Sequence, residues 1–189
     1  MRRLACLAMF CTLTMTPIMG ALTATAAEHS SEHDKVVATL QGYEWRLDLA
    51  VLRALPAGAW RDLLAVVDDS TQAGFVRERA AASLVAFPND EVLAFYVQSL
   101  SAAQQGLHRG RQVESLCMGF ASQRPLVVER ALLPLLDETE AQLRLPAARC
   151  LQAMDLPSSQ AALTRYRGQV ANTWEARALG HASAQALSL

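Results

Sequence analysis

Two stretches of this chain carry nearly the same pattern, and that repetition limits the fold more than any other feature. Asp68 to Leu84 reads DDSTQAGFVRERAAASL and Asp137 to Leu151 reads DETEAQLRLPAARCL. Each runs from an acid through a polar linker to an apolar-Arg pair, then to an alanine and a small-Leu pair. Val76-Arg77, Ala80 and Ser83-Leu84 match Leu143-Arg144, Ala147 and Cys150-Leu151. A weaker copy, Gln104 to Leu116, puts Arg109, Gln112 and Ser115-Leu116 at the same spacing. A fourth, TWEARALGHA, offers Trp174-Glu175, Ala178 and His181-Ala182. The landmark positions are 77, 109, 144 and 175, a spacing of 31 to 35 residues. Each is preceded by an apolar stretch: WRDLLAVV, VLAFYVQSL, ERALLPLL and AALTRYRGQV. A period of this size marks one supersecondary unit, unable to bury its apolar face alone and therefore stacked on its neighbours. Past Trp45 the apolar residues recur at helical spacing, and Ala, Leu and Gln prevail over runs of Val, Ile and Thr. The unit is a helix A, a short turn and a helix B, and the expected class is all-α.

The pattern resembles the HEAT repeat family in its short bacterial form. That family shows an apolar A helix often carrying a proline, an Asp-containing turn, then an apolar-Arg pair and an alanine-rich B helix. ALLPLLDETEAQLRLPAARCL matches nearly throughout, and LLAVVDDSTQAGFVRERAAASL matches apart from the missing proline. The second copy departs, with Ser101 where the acid would sit and glycines at 106 and 110. The fourth lacks both acid and arginine, as an end cap does. The resemblance covers roughly residues 58 to 187. It implies an α-α superhelix, an α-solenoid of about four HEAT-like helix pairs, with the B helices lining a concave face.

Within that frame Pro134 is expected to kink its A helix. Pro146 is placed near the first turn of a B helix, where its missing N–H costs least, or bends that helix if it starts earlier. Asp137 is expected to cap the B helix, and Arg144 to reach turn carbonyls or a neighbouring acid. Ahead of the repeats, a helix from about Tyr43 to Leu55 is expected to stop at Pro56-Ala57-Gly58. Tyr43 and Trp45 would cover the open face of the first repeat, as an N-terminal capping helix. Residues 42–189 form the repeat domain on this reading, and 28–41, polar and short of anchors, a mobile segment.

The first 27 residues read as a secretory signal peptide: Arg2-Arg3, an apolar run from Leu4 to Met15, then small residues ending at Ala26 or Ala27. The apolar run is well short of the roughly 20 residues a membrane span needs. A periplasmic or secreted product follows, with no membrane insertion once the signal is removed. Cleavage takes away two arginines and no acids, leaving 15 basic against 18 acidic side chains in 162 residues, a net charge of −3. A nucleic-acid binder usually shows the opposite balance.

Chemistry-bearing residues are few. Cleavage after Ala26 would begin the chain Ala27-Glu28-His29, and an amine with histidine third in line suits square-planar Cu(II) or Ni(II). His29 and His33 could also share a metal if helical; the competing reading is a solvated tail. Cys117 and Cys150 are the cysteines left after export, in a compartment where disulfides persist. They lie two positions apart in repeat register, about 200° around a helix. They therefore face one another across neighbouring B helices, forming a bridge, or point apart as two thiols. No His-Glu-x-x-His, Gly-x-Ser-x-Gly or phosphate-loop motif occurs. No catalytic residue and no cofactor is assigned, and a small enzyme with a diffuse site around His108 is the alternative. Arginines recur on the B helices: Arg77, Arg79, Arg109, Arg111, Arg144, Arg149 and Arg177. Of these, Arg77, Arg109, Arg111, Arg144 and Arg177 are candidate partner-binding residues that could hold an acidic peptide or carboxylates. Inter-repeat pairing with Glu78, Glu114, Glu140 and Glu175 competes with that reading. The expected function is a non-catalytic scaffold for a protein or peptide partner.

Overall fold

The computed structural model describes residues 33–101 and 107–186. Every regular element among the described residues is helical, and no strand occurs among them. A helical stretch over 33–40 (α1) is followed by α2 (Leu49–Arg53), α3 (Ala59–Asp68), α4 (Gly74–Ser83), α5 (Asp90–Ser101) and α6 (Arg109–Phe120). Then come α7 (Pro125–Leu132), α8 (Ala141–Met154), α9 (Pro157–Val170) and α10 (Trp174–Ala186). Short 3-10 turns, Leu84–Ala86 and Leu133–Asp137, extend α4 and α7. From α3 onward each odd-numbered helix packs on the even-numbered helix after it, and α4, α6, α8 and α10 pack on one another in turn.

Paired contacts set the direction of those even-numbered helices. Glu78 accepts a hydrogen bond from the backbone N–H of His108, and Val85 lies 3.0 Å from where a Cβ on Gly119 would stand. A Cβ on Gly110 would lie 2.6 Å from the carbonyl oxygen of Gln142, and further along Cys117 is disulfide-bonded to Cys150 with Cα atoms 5.9 Å apart. Arg144 pairs with Glu175, and Arg149 Nη2 donates to the Ala178 carbonyl at 3.2 Å. At every junction the second contact lies further along both helices, so neighbours run parallel with partners offset by 29 to 34 residues.

Small residues make these approaches possible. Ala80, Ala81, Ala147 and Ala148 are fully buried in α4 and α8. The odd-numbered helices fill the remaining core with larger side chains at helical spacing: Leu63, Val66 and Val67 on α3, Val92 and Tyr96 on α5, Val128 and Leu132 on α7, Leu163, Tyr166 and Val170 on α9. Each such buried side chain contributes about 1.5–3 kcal/mol. Tyr96 donates its hydroxyl proton to the Ala81 carbonyl at 2.6 Å, tying α5 back to α4, and its burial raises the phenol's pKa. Prolines 125 and 157 open α7 and α9 at the first turn, where no N–H is missed.

Several sequence expectations are corrected. Residues 33–40, expected in a mobile segment, are helical because Val36 and Leu40, four apart, are buried in the core. The helix expected from Tyr43 begins only at Leu49, where the Asp48 carboxylate accepts from the N–H groups of Ala50 and Val51 as N-cap. Tyr43 is fully exposed and covers nothing. Pro134 does not kink a continuous helix: α7 closes at Leu132 and the chain tightens into the 3-10 turn, since proline has no N–H for the α ladder. Asp137 ends that turn exposed, and the N-cap of α8 is Glu140, without a side-chain cap bond. Pro146 is the sixth residue of α8, past the first turn. It leaves the carbonyl four residues earlier without its helical partner, and that carbonyl belongs to Gln142, the one facing Gly110. The signal peptide of residues 1–27 and the residues up to 32 lie outside the described residues.

Candidate functional site

The last carbonyls of any helix lack an intrahelical donor, and the helix dipole favours a cation there. The landmark arginines supply such donors. Arg77 Nε donates to the Val67 carbonyl at 2.7 Å, near the end of α3. Arg109 Nη2 donates to the Leu100 carbonyl at 2.8 Å and pairs with Glu138 Oε1 at 2.9 Å. Arg144 Nη1 donates to the carbonyls of Glu138 and Thr139 at 2.7 and 2.6 Å, satisfying the turn before α8. Its Nη2 and Nε reach the two carboxylate oxygens of Glu175 at 2.6 and 3.2 Å. Three of the five candidate partner-binding arginines are therefore held in the seams between helices.

Glu175 occupies the landmark register itself, with the charge reversed. It is buried, and it also accepts from the Tyr166 hydroxyl at 2.7 Å. The Arg144 hydrogen bonds outweigh desolvation and hold the Glu175 carboxyl below its ordinary pKa, with help from Tyr166. Burial and the bond to Glu175 push the Tyr166 phenol up, and Glu175 raises the Arg144 guanidinium in turn.

Two residues past the landmarks the outcome divides. Arg79, Arg111 and Arg177 share that register and take part in none of the ion pairs among the described residues. Arg111 and Arg177 are exposed. Arg79 is held by carbonyls: Nη1 donates to Leu40 and Gly42 at 2.8 and 2.9 Å. Its guanidinium lies 5.4 Å from the Trp45 ring centroid and 4.8 Å from that of Phe75, a stacked cation–π arrangement. Around it an open groove of about 590 Å³ runs between α4 and α6, lined by Trp45, Phe75, Glu78, Arg79, His108 and Arg111 among others. A second groove, about 300 Å³, continues between α6 and α8, lined by Glu114, Met118, Pro146, Arg149 and the Cys117–Cys150 disulfide. Phe75 and Met118 stand 58% and 60% exposed on this face. Trp45 was expected against the first repeat, whereas Phe75 and Met118 were not read from the sequence. The Phe75/Arg79 spacing of four, which stacks a ring on a guanidinium along a helix, was the signal available for one of them.

His33 lies 3.4 Å from Asp62, a buried carboxylate on α3, and His29 lies outside the described residues. Among the described residues no cluster of three or more His, Cys, Asp and Glu is placed to hold a metal ion. The exposed His108 is the N-cap of α6 and makes no side-chain cap bond. No helix among the described residues is long and apolar enough to cross a membrane. In comparisons with known proteins, no family model, no curated protein and no solved structure matches this chain.

Proposed function

We propose that this chain is an exported, HEAT-like α-solenoid that binds a protein partner along the face of α4, α6, α8 and α10, without performing chemistry. One observation carries the reading. Arg77, Arg109 and Arg144 are tied to carbonyls and acids, whereas Arg111 on α6 and Arg177 on α10 are exposed and outside every ion pair among the described residues. Arg149 adds a third exposed guanidinium, bonded only to a carbonyl. A chain with more acids than bases that gathers unpaired arginines on one face is built to meet carboxylates there. The parallel packing and constant offset of the even-numbered helices support the solenoid. The disulfide supports export, because such bonds persist in oxidising compartments.

The test is capture of partners from the envelope fraction of the native cell by the mature protein, alongside a triple variant, Arg111→Ala, Arg149→Ala and Arg177→Ala. Arg109 and Arg144 are left intact because their loss would disturb packing. A partner retained by the natural protein and lost by a triple variant with an unchanged melt is the expected result. Equal retention by both overturns the reading, as does the absence of any partner.

A further inference from the structure

The groove between α4 and α6 has two unlike walls. On one side stand Phe75 and Trp45, already fixed around the Arg79 guanidinium, which is itself anchored on the Leu40 and Gly42 carbonyls. Aromatic rings positioned before a ligand arrives lose little entropy on binding, which favours an apolar side chain laid against them. On the other side Arg111 and His108, three residues apart at the start of α6, line the same space. Arg111 has no acidic partner among the described residues. A guanidinium in that state matches a carboxylate, which it can hold through two hydrogen bonds.

The second groove fixes how the ligand runs. Arg149 lines it from α8, the next parallel helix, with Met118 beside it. Packed helices lie about 8–10 Å apart, and an extended chain rises about 3.3 Å per residue. Arg149 also stands about five residues further along the parallel helices than Arg111, about 8 Å of rise. A ligand crossing from Arg111 to Arg149 thus covers the distance in about four residues. A polyphosphate fits less well, since Glu78 lines the first groove and Glu114 the second.

Resting on the partner-binding reading above, we propose that this face binds an extended, acidic polypeptide segment of defined spacing. An aromatic or branched aliphatic side chain seats against Phe75 and Trp45. A carboxylate about three residues on meets Arg111, and a second about four residues further meets Arg149.

The probe is a fluorescent peptide, blocked at both ends, with Phe, Asp three positions later and Asp four positions after that, separated by serines. Its binding to the mature, oxidised protein is read by fluorescence anisotropy. Phe75→Ala and Arg111→Ala alter exposed side chains, and each is expected to weaken binding about tenfold with an unchanged melt. A peptide with Asn at both acidic positions, or with the two acids adjacent, is expected to bind at least about tenfold more weakly. No binding of the Phe-Asp-Asp peptide, or binding indifferent to both variants, overturns the proposal. So does a single-stranded oligonucleotide that binds more tightly and loses affinity in Arg111→Ala. If the peptide fails while envelope capture still depends on the exposed arginines, the segment chemistry is wrong and the binding face stands. If capture fails as well, both fall.

Discussion

The junction between α6 and α8 and the junction between α8 and α10 join equivalent helices by unrelated chemistry. The first has a covalent bond, Cys117–Cys150, and a close backbone approach of Gly110 to the Gln142 carbonyl. The second has a buried charge network in which Arg144, Glu175 and Tyr166 satisfy one another. One helix, α8, therefore faces a neighbour held by bonding and shape on one side and a neighbour held by electrostatics on the other. The repeat dictates the offset between partners and leaves the means open, so the two junctions should fail under different insults. Reduction should loosen one, and acid or a lost charge the other.

The largest effect is expected at the charged junction. Arg144→Ala leaves the Glu175 carboxylate buried without its cation, and breaking such a pair costs about 3–5 kcal/mol. Urea melts of the oxidised protein at pH 7 measure it. A loss under about 1 kcal/mol would mean the pair behaves as an exposed one. The pH dependence adds a signature. The folded pKa of Glu175 lies below its unfolded value of about 4.3. Its contribution is therefore complete above that unfolded value and is lost as pH falls through the folded one. Glu175→Gln should flatten this part of the acid arm, whereas reduction of the disulfide should leave its shape unchanged.

Next in size is the disulfide. Closing a separation of 33 residues restricts the unfolded chain by about 3–4 kcal/mol in the loop-entropy account. The double variant Cys117→Ser, Cys150→Ser should melt about 10 °C lower for a domain of this length. Calorimetry with and without reductant checks it: reductant should lower the natural protein to the level of the variant and leave the variant unmoved. If the natural protein ignores reductant while its thiols titrate as free, the α6–α8 junction does not depend on the bond.

How much of this was legible in the sequence varies with the number of residues each feature needs. The helical class could be read because apolar and alanine periods are local. The offset between partners could be read because four landmarks repeat it. The arginines were ambiguous, since a guanidinium that reaches a helix-end carbonyl and one that awaits a ligand look alike in a repeat pattern. Only their surroundings in the fold separate them: Arg111 and Arg177 stand exposed, whereas Arg79 in the same +2 register is held by carbonyls. Glu175 read as a worn copy of the landmark, and its place against Arg144 shows a reversed charge serving as that arginine's partner. Cys117 and Cys150 left two orientations open because helix rotation was unknown. The Trp45–Arg79–Phe75 stack escaped because Trp45 sits in irregular chain before α2, where no period applies.

The smallest of these effects tests whether shape is part of the bonded junction. Gly110 and Pro146 lie 36 residues apart, and neither means much alone. Proline at 146 withholds the N–H that the Gln142 carbonyl would otherwise meet. That carbonyl approaches α6 where only a glycine hydrogen fits, 2.6 Å from the position of a Cβ on residue 110. Gly110→Ala must therefore push two helix backbones apart, at a cost of about 1–3 kcal/mol. Gly168 in α9 is the control, for a Cβ there meets nothing within 4 Å. Gly168→Ala should gain about 0.5–1 kcal/mol, as alanine does in an unobstructed helix interior. The same chemical change thus takes opposite signs at the two sites, read in parallel urea melts at pH 7. Equal gains at both would mean that α6 and α8 can part without loss, and the disulfide alone would then define their junction.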